Sequence, residues 1–151
     1  MKSIKNRSLS FAPETEKETF GEFVLQTNEV QAVLALTVSL YSLYKGKMDI
    51  DFLFKKTTLG RLISKFQVCI IKETKENSEM NKLLFILKDY NRYRCVIAHE
   101  MHLPDKRLNQ KEAKKAIKIG ENILKILDGL IEKHKLYKHF LCHKNSAKIN
   151  M

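Results

Sequence analysis

The sequence predicts an all-α protein, built as an antiparallel bundle of four main helices. Prolines and glycines are scarce, with two and five among 151 residues, so few residues interrupt a helix. Apolar residues recur at steps of three and four over long stretches, which is the spacing of one helix face. The period-two alternation of a strand is confined to the short segment DIDFLF at 49–54.

The first helix is expected over residues 15–45. Thr15 and Glu18 have the spacing of a capping box, and Lys45-Gly46 suits a helix end. The longest uncharged run, 30–44, has 15 residues and contains polar side chains, which is short of the roughly 20 apolar residues of a membrane span. We therefore expect a buried helix and no membrane association.

The second and third helices are defined by their candidate caps. Thr57 or Thr58 is expected to cap a second helix that reaches about Lys75. Ser78 is expected to cap a third helix, which Pro104 would end. Short connections of this kind favour antiparallel neighbours in a bundle.

The fourth helix begins after another cap pair, Asn109 with Glu112, and is expected to reach about His139. Its predicted apolar face contains Ala113, Ala116, Ile117, Gly120, Leu124, Leu127 and Ile131. The chain then divides into three parts, which are a flexible N-terminal arm (1–14), a helical bundle (15–140) and a basic C-terminal tail (141–151).

Positive charge is concentrated towards the end of the chain. The net charge is −1 over 1–44, +4 over 45–105 and +8 over 106–151, which sums to +11. Such an excess favours a polyanionic partner through electrostatic steering and counterion release. A solvated, lysine-rich helix face accounts for it equally well.

The cysteines indicate a reducing compartment. Cys69, Cys95 and Cys142 are an odd number and lack the spacing of a zinc ribbon or a disulfide framework. No long apolar run follows the basic N-terminus, so a secretion signal is not expected. We predict a cytoplasmic protein with no metal site and no cofactor, although His139, Cys142 and His143 form a weak metal candidate.

The third helix carries charges among apolar residues. One stripe of this helix contains Leu83, Leu87, Tyr90, Arg94, Ile97 and Met101, and a second contains Phe85, Lys88, Arg92, Cys95, His99 and His102. Arg94 therefore lies in an apolar row, where an unpaired charge is costly to bury. The simplest explanation is that its stem packs while its guanidinium reaches solvent or pairs with Asp89 or Glu100.

Arg94 and His99 enclose four residues just before the predicted helix end. This arrangement resembles the R-x(4 to 6)-H signature of the HEPN family, in which a helical domain of about this size carries the motif late in its third main helix. Ala98 before the histidine also matches many members. Arg92 meets the spacing with six intervening residues, but Arg94 is the better match.

Most of the chain resembles the HEPN family in its predicted helical architecture. About six residues resemble the family as a sequence motif. The resemblance implies a metal-independent endoribonuclease that cleaves single-stranded RNA as a homodimer through the motif helix, in a toxin or abortive-infection role. An antitoxin or regulatory protein would then be a further partner. Arg94 and His99 would be catalytic, while Arg92, His102 and Lys88 would contact phosphates or RNA.

Two positions depart from the family pattern. Cys95 stands where HEPN nucleases commonly have a polar residue, and Met101 replaces the tyrosine of toxins paired with nucleotidyltransferase antitoxins. Modification of this position by an antitoxin is therefore not expected. The alternative functions are a non-catalytic HEPN-like bundle that binds RNA or a protein, and a structural bundle with a basic surface.

Overall fold

The computed structural model describes residues 11–44, 57–68 and 78–133. Every regular element in these ranges is helical, so the all-α prediction is confirmed. The four helices are α1 (Lys17–Tyr44), α2 (Leu59–Phe66), α3 (Ser78–His99) and α4 (Gln110–Lys133).

Several predictions concern residues outside the described ranges. These are the end of the first helix at Lys45 and Gly46, the segment 49–54, the helix ends near Lys75 and His139, the first ten residues of the N-terminal arm and the basic tail 141–151. They remain predictions.

The start of α1 differs from the prediction. The helix begins at Lys17, and the backbone N–H groups of Glu16 and Lys17 donate to the Pro13 carbonyl oxygen at 2.9 and 3.1 Å. This turn takes the place of the capping box predicted at Thr15. Ala12 is only 5% exposed, so the end of the predicted arm packs against the bundle.

The caps of α2 and α4 are confirmed. Thr58 Oγ1 accepts a hydrogen bond of 3.3 Å from the Arg61 N–H. Asn109 Oδ1 accepts from the Glu112 N–H at 2.8 Å, while Glu112 Oε1 accepts from the Asn109 N–H at 3.3 Å. This reciprocal pair is a capping box, and it fixes where α4 begins.

Both ends of α3 differ from the prediction. Ser78, the first described residue after 68, is already helical and therefore does not precede the helix as a cap would. The helix ends at His99, before Pro104 is reached, and the chain continues in tight turns. In these turns the N–H groups of Leu103 and Arg107 donate to the carbonyls of Glu100 and Leu103 at 3.0 and 2.8 Å.

α1 and α4 run parallel. Gln110 Nε2 donates to Thr19 Oγ1 at 3.3 Å, and Gln26 Nε2 donates to the Ile117 carbonyl at 2.8 Å. The second bond lies seven residues further along both helices (26 − 19 and 117 − 110), so the helices point the same way. An up-and-down bundle would set them antiparallel, and the structure departs from the predicted arrangement here.

α3 runs opposite to α1. Phe11, before α1, meets His102, after α3, with ring centroids 5.9 Å apart. Thr27, further along α1, lies 3.3 Å from the hydroxyl of Tyr90, earlier in α3. The start of α1, the end of α3 and the start of α4 therefore lie at one end of the bundle, which we call the His99 end.

α1 packs against all three other helices. By length and composition, the segment between Lys17 and Ser42 could cross a membrane, since its mean hydropathy is 1.2. Half of the 18-residue stretch that meets this criterion is buried inside the bundle. The hydroxyls of Thr27, Thr37 and Ser42 donate to backbone carbonyls one turn earlier, which satisfies polar groups inside the core.

A partly buried chain of hydrogen bonds joins α3, α1 and α4. The Tyr90 hydroxyl donates to Gln26 Oε1 at 2.9 Å, and Gln26 Nε2 donates to the Ile117 carbonyl at 2.8 Å. The side chain of Gln26 lies where a Cβ on Gly120 would stand, so glycine is what permits this approach. Burial raises the pKa of Tyr90 above its ordinary range.

Candidate functional site

α3 presents one buried row and one exposed row, as its sequence predicts. Leu83, Leu87, Tyr90, Ile97 and Met101 are buried, and Arg94 lies half-buried among them. Phe85, Lys88, Arg92, His99 and His102 are exposed, with Cys95 half-buried beside them. Arg94 therefore lies on one side of α3 and Lys88, Arg92 and His99 on another, while His102 follows the end of the helix.

Arg94 is held by a neutral partner. Its Nε–H donates to Asn91 Oδ1 at 2.9 Å, and its Nη2 lies 3.7 Å from the Cys95 sulfur. An amide fixes the direction of a guanidinium but, unlike a carboxylate, does not neutralise it. Arg94 is thus half-buried and held by groups that carry no formal charge.

The two acids that were named as possible partners of Arg94 pair with other cations. Asp89 Oδ1 accepts from Arg92 Nη2 at 3.1 Å, and Glu100 Oε1 lies 3.6 Å from Lys106 Nζ. Within the described residues, no carboxylate forms an ion pair with Arg94. Of the two alternatives for this guanidinium, pairing with Asp89 or Glu100 is therefore not the one that the structure shows.

A small cleft opens beside Arg94 between α1 and α3. Its volume is about 10 Å³, about the size of one water molecule and far below the roughly 300–1,000 Å³ of ordinary small-molecule pockets. It is lined by Phe23, Val24, Thr27, Arg94, Ile97 and Ala98. A ligand larger than this cleft must meet Arg94 from the protein surface.

His99 is the last residue of α3, and its side chain is exposed. The side chain makes no hydrogen bond, ion pair or ring contact with any described residue, so both ring nitrogens are accessible. On an ideal helix the five-residue step from Arg94 turns the direction by about 140° and advances by about 7.5 Å. One protomer therefore does not aim both side chains at a single phosphate.

Arg92 shares the exposed side with His99 but has local partners. Its guanidinium bonds Asp89 through Nε and Nη2 at 3.3 and 3.1 Å and lies 4.5 Å from the centroid of the Tyr93 ring. The hydrogen bond to Asp89 raises the pKa of Arg92 above its ordinary range. A phosphate would compete with Asp89 for this side chain.

His102 and Lys88 also lie on the exposed side. The His102 ring meets Phe11 at 5.9 Å with the planes tilted by 55°. Lys88 is exposed six residues before Arg94 and makes no ion pair within the described residues. Together with His99 they form an open, weakly constrained basic surface.

Asn91 is the residue at this site that the sequence analysis did not single out. It precedes Arg94 by three residues, a spacing that brings helical side chains together, so the signal was present in the sequence. Asn91 also approaches α2, because its Nδ2 would lie 3.5 Å from a Cβ on Gly60.

Within residues 11–44, 57–68 and 78–133, no cluster of three or more His, Cys, Asp and Glu side chains could hold a metal ion. The weak candidate at His139, Cys142 and His143 lies outside these ranges.

The chain matches no protein-family model, no curated protein and no solved structure with which it was compared. The resemblance to the HEPN family therefore rests on the Arg94 and His99 motif and on its place late in α3.

Proposed function

We propose that this protein is an HEPN-like endoribonuclease that cleaves single-stranded RNA without a metal ion. The observation that carries the proposal is the half-buried guanidinium of Arg94, which forms no ion pair with a described carboxylate and whose Nε–H is held by the neutral side chain of Asn91. An accessible histidine, His99, ends the same helix. The net charge of +11 is suited to a polyanionic substrate.

Arg94 would stabilise the transition state. When the 2′-oxygen of a ribose attacks the adjacent phosphorus, negative charge grows on the non-bridging oxygens. A guanidinium is permanently charged, and its planar fork of donors matches these oxygens. The bond to Asn91 uses Nε alone. Nη2 also donates to the Cys95 sulfur at 3.7 Å, so a phosphate would take the remaining donors of the guanidinium or replace this weak bond.

His99 would move the protons. Histidine exchanges protons near neutral pH, so it serves as a general base or a general acid. As a base it removes the proton of the 2′-hydroxyl while the 2′-oxygen forms a bond to phosphorus and the 5′-oxygen leaves and takes up a proton. The products are a 2′,3′-cyclic phosphate and a free 5′-hydroxyl.

A homodimer would bring the two residues to one phosphate. Arg94 and His99 point about 140° apart on one helix, so a site formed across a two-fold axis would take Arg94 from one chain and His99 from the other. The exposed row of α3 is a suitable contact surface for a second copy of the chain. It contains Phe85, which lies in the first half of the helix and is 73% exposed. Arg92, Lys88 and His102 would then border the bound strand.

The test is incubation of the purified full chain with single-stranded RNA in EDTA, beside Arg94→Ala and His99→Ala variants. We expect the wild type to produce fragments with 2′,3′-cyclic phosphate ends and each variant to lose at least about a hundredfold in rate. Thermal melts of both variants control for folding. Wild-type protein that never cleaves RNA, or variants that cleave as fast as wild type, would refute the proposal.

A second candidate function is RNA binding without cleavage. It is favoured by Cys95, which places a sulfur 3.7 Å from Nη2 of Arg94 at the position where related nucleases commonly carry a polar residue. Steeply salt-dependent RNA binding with no cleavage would support it.

The biological part of the proposal follows from the resemblance. A cytoplasmic toxin or abortive-infection effector would arrest growth when expressed alone, and an antitoxin or regulatory protein would hold it inactive. Growth arrest that His99→Ala relieves is the expected cellular result.

A further inference from the structure

Four lysines lie on the outer side of the first turns of α4. Lys111, Lys114, Lys115 and Lys118 are all exposed, and none forms an ion pair or hydrogen bond within the described residues. Their spacing of three and four residues places them on one surface about 10.5 Å long. We call this surface the lysine face.

The position of these charges works against the stability of the helix. Lys111 lies in the first turn of α4, where the partial positive charge of the helix start is unfavourable for a cation. All four lysines also repel like charges three and four residues away. The one acid in the first turn of α4 is Glu112, and its carboxylate is used by the cap with Asn109. An anionic ligand bound beside the lysine face would offset this repulsion.

The lysine face lies at the His99 end of the bundle. α3 ends at His99 and α4 begins at Gln110, and the ten residues between them, 100–109, fold into tight turns. Gln110 also contacts Thr19 at the start of α1. The first lysine, Lys111, follows directly, so the candidate proton-transfer residue and the lysine face share one end of the molecule.

An open groove lies beside the lysine face. It has a volume of about 760 Å³ and is bordered by Gln110, Glu112 and the four lysines, all on α4. This volume lies within the roughly 300–1,000 Å³ of ligand sites, and the groove is open to solvent. Among its lining residues Glu112 is the only acid. A single-stranded phosphodiester chain can lie along such an open surface and carries the opposite charge.

We propose that the lysine face binds the phosphate backbone of single-stranded RNA and leads the strand towards His99. The identity of this polyanion rests on the function proposed above. Ammonium groups contact phosphates as point charges and do not read bases. The lysine face therefore supplies affinity and salt dependence but no sequence preference.

The experiment measures binding of a fluorescently labelled 20-nucleotide RNA by anisotropy, in EDTA, with the full chain carrying His99→Ala so that the RNA stays intact. One variant adds Lys114→Gln and Lys118→Gln. The matched control adds Lys82→Gln and Lys125→Gln, which remove two exposed lysines near the start of α3 and in the second half of α4. Both variants change the net charge equally.

We expect the lysine-face variant to bind on the order of tenfold more weakly at 0.1 M salt, with a slope of log affinity against log salt that is smaller by about 1.4. The control variant should bind within about twofold of its parent. Equal weakening in both variants would mean that only total charge matters and would overturn the proposal. Unchanged binding in the lysine-face variant would overturn it as well.

Failure of this inference and failure of the proposed function are separable. If wild type cleaves RNA in EDTA while the lysine-face variant binds normally, the lysine face is refuted and the nuclease stands. If wild type never cleaves but only the lysine-face variant loses RNA binding, the nuclease is refuted and the lysine face stands. Binding of the parent to anionic lipid vesicles, with no RNA binding, would overturn the choice of RNA as the ligand.

Discussion

The Nε–H of Arg94 donates a 2.9 Å hydrogen bond to Oδ1 of Asn91, one turn earlier on α3. Since both residues lie on one helix, the bond fixes the guanidinium relative to α3 itself. The partner is neutral, so it orients Arg94 without forming an ion pair with it. Asn91 is thus a positioning residue in the proposed site.

Replacing Asn91 by aspartate tests this role. Asn91→Asp keeps the shape of the side chain but pairs Arg94 with a carboxylate, which competes with phosphate for the guanidinium. We expect RNA cleavage to fall at least about tenfold while the melting temperature stays level or rises. The control is Asn122→Asp, the same charge change at an exposed position of α4. Equal rates in the two variants would show that Asn91 does not position Arg94.

The close approach of Gln26 to Gly120 predicts a contrast between two glycines. Gly120→Ala places a methyl group on the Gln26 side chain, whereas Gly129→Ala meets no atom within 4 Å. We expect Gly120→Ala to lower the free energy of unfolding by about 1–3 kcal/mol. Gly129→Ala should raise it by about 0.4–1 kcal/mol. Urea unfolding measures both.

A double-mutant cycle identifies the cause of the Gly120 effect. In a Gln26→Ala background the methyl group has room, so Gly120→Ala should cost less than in the wild type. Equal costs in both backgrounds would mean that Gln26 is not the residue that requires glycine.

The buried Tyr90 predicts a loss of stability in alkali. Burial raises the pKa of Tyr90 above its ordinary 10.0, so above pH 10 the unfolded chain releases this proton while the folded chain retains it. The free energy of unfolding then falls by up to about 1.4 kcal/mol per pH unit from this group. Below pH 10 both states keep the proton and the contribution is constant.

Tyr90→Phe is the control for this fall in the free energy of unfolding with pH, because a phenylalanine side chain has no proton to release. Lysines and other tyrosines titrate in both proteins, so the difference between the two pH profiles isolates Tyr90. We expect the variant to be less stable at pH 8, since it leaves Gln26 Oε1 without the 2.9 Å hydrogen bond, and to lose less stability between pH 10 and 11. Parallel profiles would contradict the account.

The lysine face predicts a gain in stability when a lysine is removed. Lys111→Gln relieves the repulsion between a cation and the start of α4, so the free energy of unfolding should rise by about 0.3–1 kcal/mol at low salt. Added salt should shrink the gain. Lys125→Gln, in the second half of the same helix, is the control and should not show this gain.

The sequence predicted the features that depend on neighbouring residues. The two faces of α3 follow from its helical repeat, and the cap formed by Asn109 and Glu112 follows from a spacing of three residues. Both are settled within one or two helix turns, so no knowledge of the tertiary structure was needed.

Features that depend on packing between helices were not predicted. The parallel alignment of α1 and α4 is set by contacts between residues 91 apart, such as Gln26 with Ile117, and no local pattern encodes that pairing. The partner of Arg94 was missed for another reason. Asp89 and Glu100 were both within reach in sequence, but Arg92 and Lys106 compete for them.

The most direct test of the proposed site is complementation between two inactive variants. Arg94→Ala and His99→Ala chains with different tags are expressed together, and the mixed dimer is purified with both tags and assayed on single-stranded RNA in EDTA. If Arg94 of one chain and His99 of the other act on the same phosphate, a mixed dimer has one intact site out of two. We then expect about half the wild-type rate. Mixed dimers as inactive as either variant alone, beside an active wild type, would contradict the shared site.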